Sequence, residues 1–107
     1  MTSDHLTPVM VLTTVETEAS ARTLAHALLN EGLAACVSFH MVRSVYQWNG
    51  TIEENEEFQL KIKANAKHTQ KLITRIEQLH SYDVPEVLVL PISEGSAPYL
   101  KWMSEHV

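Results

Sequence analysis

The sequence predicts an α+β domain of the ferredoxin-like βαββαβ type, extended by a C-terminal helix. Three observations predict it. Apolar runs of strand length alternate with stretches of helical period, an Asn49-Gly50 pair divides the longest strand-like region, and one capped helix precedes that region while another follows it. A chain of 107 residues has material for one domain, residues 1–107, with one modest core.

Residues 1–7 carry no periodic pattern and read as a flexible start. Pro8 to Thr14 is a short run rich in β-formers, the mark of a central strand. Thr17 can cap a helix whose apolar positions Ala21, Leu24, Ala25, Leu28 and Leu29 recur with helical period, and Gly32 supplies its left-handed stop. From Ala34 to Ala64 the period changes to that of strands, with Asn49-Gly50 as a two-residue hairpin turn. Setting Trp48 opposite Thr51 pairs Val37 with Ile62, Phe39 with Leu60 and Met41 with Phe58, so one hairpin face is core. The other face then receives Cys36 with Lys63, Ser38 with Lys61, His40 with Gln59 and Val42 with Glu57. A second helix follows, capped by Asn65, with Leu72, Ile73, Ile76 and Leu79 as its buried stripe, and ends near His80. Glu86 to Ile92 reads as a last strand in which Pro91 marks an edge or a bulge, and Ser96 can cap a short helix turning Leu100 and Met103 inward.

At 3.4 Å per residue the strand from Cys36 to Trp48 would run roughly 44 Å, past the diameter of about 34 Å expected for a compact domain of this length. The overshooting tip carries Val42, Val45, Tyr46, Trp48 and Ile52, too apolar a set for a bare ribbon in water. Another subunit is expected to receive it, the alternative being a bent strand folded back on its own domain.

Eight Lys+Arg against thirteen Asp+Glu give a formal net charge of −5, which argues against a nucleic-acid binder and favours cationic ligands. One cysteine allows neither an internal disulfide nor a multi-cysteine zinc cage, as suits the reducing cytosol. No signal-length or membrane-spanning apolar run is present, so a cytoplasmic protein with no membrane role is expected. No nucleotide-binding, hydrolase or zinc-protease motif is present, so the expectation is a protein that is not an enzyme.

The run Glu53, Glu54, Glu56, Glu57 alternates between strand faces and reads mainly as a solvated ribbon, with Glu57 set apart on the face that holds Lys61 and Lys63. Cys36 reads as a small buried hydrophobe or as a soft ligand whose thiolate Lys63, directly opposite, would favour. His80 reads as a cationic helix cap or as a functional group where a helix end converges on Tyr82, Pro85 and Glu86.

Four spaced stretches, Leu33-Ala34-Ala35-Cys36-Val37, Ser44 to Gly50, His80 to Glu86 and Tyr99-Leu100-Lys101-Trp102, together resemble the divalent-cation tolerance protein family, CutA. The resemblance spans about Val9 to Trp102. It implies a tight homotrimer similar to the PII signalling proteins, with the long hairpin packed on a neighbour. It also implies divalent metal ions, copper among them, as ligands, bound in some members by a strand-one cysteine and a His-His pair. Here those positions are Thr13 and Leu79-His80, so His80 alone of that set is present. The implied cleft between subunits is lined by Cys36, Trp48, Glu57, Lys63, His80, Tyr82 and Glu86. The expected function is therefore non-enzymatic metal tolerance, with His80, Cys36 and Glu57 as ligands and Trp48, Lys63, Tyr82 and Glu86 as further cleft residues. The alternative is a PII-like trimer that senses a small anionic metabolite through Lys63 and signals to a protein partner.

Overall fold

A computed structural model describes residues 6–107. The elements are β1 (Pro8–Val15), α1 (Glu18–Asn30), β2 (Cys36–Trp48), β3 (Thr51–Asn65), a 3-10 turn (Ala66–His68), α2 (Thr69–Leu79), β4 (Leu88–Pro91) and α3 (Ala97–Ser104). The four strands form one antiparallel sheet in the order β2-β3-β1-β4. Most of the expected flexible start falls outside the described residues. Thr7 is held, its N–H donating to Asn65 Oδ1 (3.3 Å) and its carbonyl accepting from Ala66 N (2.8 Å).

Local chemistry accounts for the boundaries. Thr17 Oγ1 accepts from Ser20 N at 3.0 Å, so α1 begins with a satisfied donor. It ends in a Schellman pattern, Leu33 N to Leu28 O and Gly32 N to Leu29 O, which places Gly32 at φ +72°. Asn65 caps the 3-10 turn through Lys67 N rather than α2 itself. Asn49 and Gly50 take φ of 52° and 79°, the double left-handed geometry of a two-residue hairpin turn. The turn sets the register, and all thirteen β2–β3 pairs from Cys36↔Lys63 to Trp48↔Thr51 follow it.

Every second residue of each strand faces α1 and α2. Val9, Val11, Val15, Leu60, Ile62 and Ala64 meet Ala21, Leu24, Leu28, Leu72 and Ile76 there, and this is the core. Leu79, expected on the buried stripe, is exposed, because α2 ends there and the chain turns away. Burying such a set removes on the order of 2 kcal/mol of unfavourable hydration per large side chain. The last strand is shorter than expected, Leu88–Pro91, and pairs only with β1, so Pro91 sits on an edge.

The open face is divided. At one end Tyr99 of α3 reaches Lys63, with the Tyr99 hydroxyl 3.3 Å from Nζ, so the last helix lies on the side away from α1 and α2. At the other end the hairpin leaves the sheet. The β1–β3 ladder stops at Val15↔Phe58, and β2–β3 pairing continues alone from Val42↔Glu57 to the turn. The overhang stretches the molecule to 52 × 25 × 21 Å with a radius of gyration of 14.8 Å, against about 13 Å for a compact chain of this size. Val45, Trp48 (50% exposed) and Ile52 (69%) stand on it in solvent. The tip does not fold back on its own domain.

Candidate functional site

Where the hairpin departs, the loop after α2 crosses the end of β1 and lies against β3. The backbone of Val84-Pro85 cannot extend a helix, so the chain must turn at Ser81–Pro85. His80 fixes that turn. Its Nε2–H donates to the Thr14 carbonyl at 2.7 Å while Nδ1 accepts from Tyr82 N–H at 3.1 Å. These partners define the neutral tautomer, because a carbonyl only accepts and an amide only donates. Tyr82 is thereby aimed at β3, where its hydroxyl donates to Glu57 Oε2 at 2.8 Å, and its ring packs on His80 with centroids 4.8 Å apart. Burial is the main reason the Tyr82 hydroxyl ionises far above the ordinary phenol range, and the Glu57 carboxylate, by hydrogen bond and by charge, adds to it.

Beside this relay runs a groove of about 900 Å³, floored by the overhang and walled by the loop. Register puts Ser44, Tyr46, Trp48, Asn55 and Glu57 on one hairpin face, and all of them line it. Glu16, Asp83 and Glu86 add carboxylates from the end of β1 and from the loop, and no Lys, Arg or His is in the lining. Glu56 also borders the groove but is paired with Arg43 at 3.4 Å. Glu57 is 7% exposed and, among the described residues, has no cation within ion-pair distance.

Of the seven residues singled out from the sequence, Trp48, Glu57, Tyr82 and Glu86 come together on this groove. His80 stands behind Tyr82 with both ring nitrogens engaged, as a positioning group. Cys36 and Lys63 do not join them within one chain. They face each other at the α3 end of the sheet, six positions along β3 from Glu57, roughly 20 Å away. The three expected metal ligands His80, Cys36 and Glu57 therefore do not surround one point in a single chain. Among the described residues no three His, Cys, Asp or Glu side chains come close enough to hold a metal ion. Carboxylate oxygens suit a hard or borderline cation, whereas copper prefers imidazole and thiolate. Thr13, at the position the resemblance gives to a metal-binding cysteine, is fully buried on the core side, away from the groove.

Sequence reasoning missed Glu16, Ser44, Tyr46 and Asp83. Ser44 and Tyr46 were within reach, since the hairpin register places them on the Glu57 face. Glu16 and Asp83 depend on where a loop comes to rest, which no periodicity encodes.

Among the described residues no helix is long and apolar enough to cross a membrane. A family model described as CutA1 divalent ion tolerance protein matches residues 9–106. The chain is 44% identical over 97 residues to the divalent-cation tolerance protein CutA of Pectobacterium atrosepticum, covering 90% of this chain and 88% of that one. The structure is similar to that of the divalent cation tolerance protein from Thermus thermophilus, with TM-score 0.89 and 42% identity over 94% of this chain and 98% of that one. It is also similar to the protein from Archaeoglobus fulgidus described as the periplasmic divalent cation tolerance protein CutA, with TM-score 0.90 and 28% identity over 92% and 97% of the two chains. The four-stranded antiparallel sheet, the helices against it and these relatives lead to one conclusion: the chain belongs to the CutA1 divalent ion tolerance family.

Proposed function

We propose that the protein is a non-enzymatic, cytoplasmic homotrimer that binds divalent metal ions, copper among them, in clefts closed between subunits. The observation that carries this reading is the groove lining, in which Glu16, Glu57, Asp83 and Glu86 are unpaired among the described residues and no cationic side chain intervenes. Such a lining attracts cations and repels anions. The tip with Val45, Trp48 and Ile52 in solvent supports assembly, because a neighbouring chain that buries it would also close the open side of the groove. For copper, a neighbour supplies what one chain lacks: its Cys36 thiol joins the carboxylates of this chain in a shared cleft.

Isothermal titration of Cu²⁺, Zn²⁺ and Mn²⁺ into protein purified without a metal-affinity tag tests the reading, together with sedimentation to fix the assembly. Expected are a trimer and binding that the double variant Glu57→Gln, Glu86→Gln weakens by tenfold or more. Metal affinity unchanged in that variant, or a folded single chain in dilute solution, overturns it. The reading as a sensor of an anionic metabolite draws on Lys61 and Lys63, which share the far end of the open face. Lys63→Glu then abolishes ligand binding without touching the acidic groove.

A further inference from the structure

We propose that the groove takes a linear aliphatic polyammonium ion, its ammonium groups on Glu57 and the neighbouring carboxylates and its methylene chain along the rings of Tyr46, Trp48 and Tyr82. The inference rests on the reading of the groove as a cation site and assigns to it a class of ligand other than a metal.

Three observations carry it. Glu57 is nine-tenths buried, faces the groove, and has one neutral donor, Tyr82, and no countercharge within reach among the described residues. A buried carboxylate without a countercharge is costly to keep ionised, and a cation entering the groove removes that cost. The second observation is shape. Trp48 and Glu57 line the same groove although they are six register positions apart on the hairpin, a span of roughly 20 Å. A single metal ion gathers its ligands within about 2.6 Å, and among the described residues no three candidate ligands converge. A trough that runs on from the buried Glu57 carboxylate past Tyr46 to Trp48 suits an elongated cation with an alkyl chain better than a point charge. The third is the aromatic surface. Tyr46, Trp48 and Tyr82 border the trough, and alkylammonium groups gain from ring faces as well as from carboxylates. Tyr82 is held in place by His80 and Glu57 before any ligand arrives, so little ordering remains to be done on binding.

The test is isothermal titration of the intact protein at low ionic strength with spermidine, putrescine and methylammonium, beside Zn²⁺ and Mn²⁺. Expected is spermidine binding at least tenfold tighter than methylammonium, weakened about tenfold by Glu57→Gln. That variant keeps the size of the side chain and an acceptor for Tyr82, and circular dichroism confirms its fold. Trp48→Leu, which removes a ring face from the trough, is expected to weaken spermidine binding more than methylammonium binding. Zn²⁺ binding without spermidine binding overturns the proposal and leaves the metal reading standing. Spermidine binding without metal binding supports the proposal against that reading, and binding of neither overturns both. Spermidine affinity that is the same in Glu57→Gln marks diffuse attraction to the −5 charge of the chain and also overturns the proposal.

Discussion

Replacing Thr13 by valine should stabilise the protein. Thr13 is fully buried between β1 and the helices, opposite Leu60, and its Oγ1 has no hydrogen-bond partner among the described residues. An unsatisfied buried hydroxyl costs about 1–3 kcal/mol relative to one left in water. Valine has nearly the same shape, is at home in a strand, and puts a methyl group where the hydroxyl was, a gain of up to about 0.8 kcal/mol in transfer. Taking the low end of the first term, since some relaxation accompanies any burial, Thr13→Val is worth about 1–2 kcal/mol. For a chain of this length each kcal/mol moves Tm by about 4 °C or more, so a rise of roughly 4–8 °C is expected. Thermal unfolding followed by circular dichroism measures it, at one protomer concentration for both proteins because association also shifts Tm. A Tm unchanged or lowered would refute the reasoning, since it would mean that the hydroxyl has a partner or that the site is not closed.

Other consequences are as direct. His80→Ala removes an acceptor from Tyr82 N–H and a donor from the Thr14 carbonyl, so a loss of about 2–3 kcal/mol is expected, with faster hydrogen exchange at Tyr82 as the local signature. Because folding raises the Tyr82 pKa, the native state holds a proton that the unfolded chain releases near pH 10, so stability is complete below that pH and falls as pH rises above it. Ultraviolet titration should show a tyrosine that ionises late, and Tyr82→Phe should abolish that step. Ile52→Lys, at a position 69% exposed on the tip, should shift the proposed trimer toward single chains, read by light scattering, and the same assembly in variant and parent would exclude the tip from the proposed interface.

The hairpin was the most legible part of the molecule. Asn49-Gly50 is a local signal that sets turn geometry, and in an antiparallel pair the turn dictates every partner, so Val42↔Glu57 and Cys36↔Lys63 could be written down from sequence. The same logic placed Trp48 and Glu57 on one face. The Tyr82–Glu57 bond was not legible, because it joins residues 25 positions apart through a loop whose path depends on His80 finding the Thr14 carbonyl. The side of the sheet chosen by α3 was hidden for a related reason. Its short stripe marks Met103 as buried but not which layer buries it, and only the meeting of Tyr99 with Lys63 decides. Residue type singled out His80 and Cys36, yet residue type alone does not tell a ligand from a brace.

Glu57 is the first residue of β3 beyond the last rung shared with β1, and it is also the one gripped by Tyr82. The point at which the ribbon loses the support of the sheet is therefore the point at which the loop seizes it. The hydrogen bond there joins the two walls of the trough, the arm on one side and the loop on the other. A neighbour that bound the far end of the arm would thus hold an element whose root is already tied to the loop.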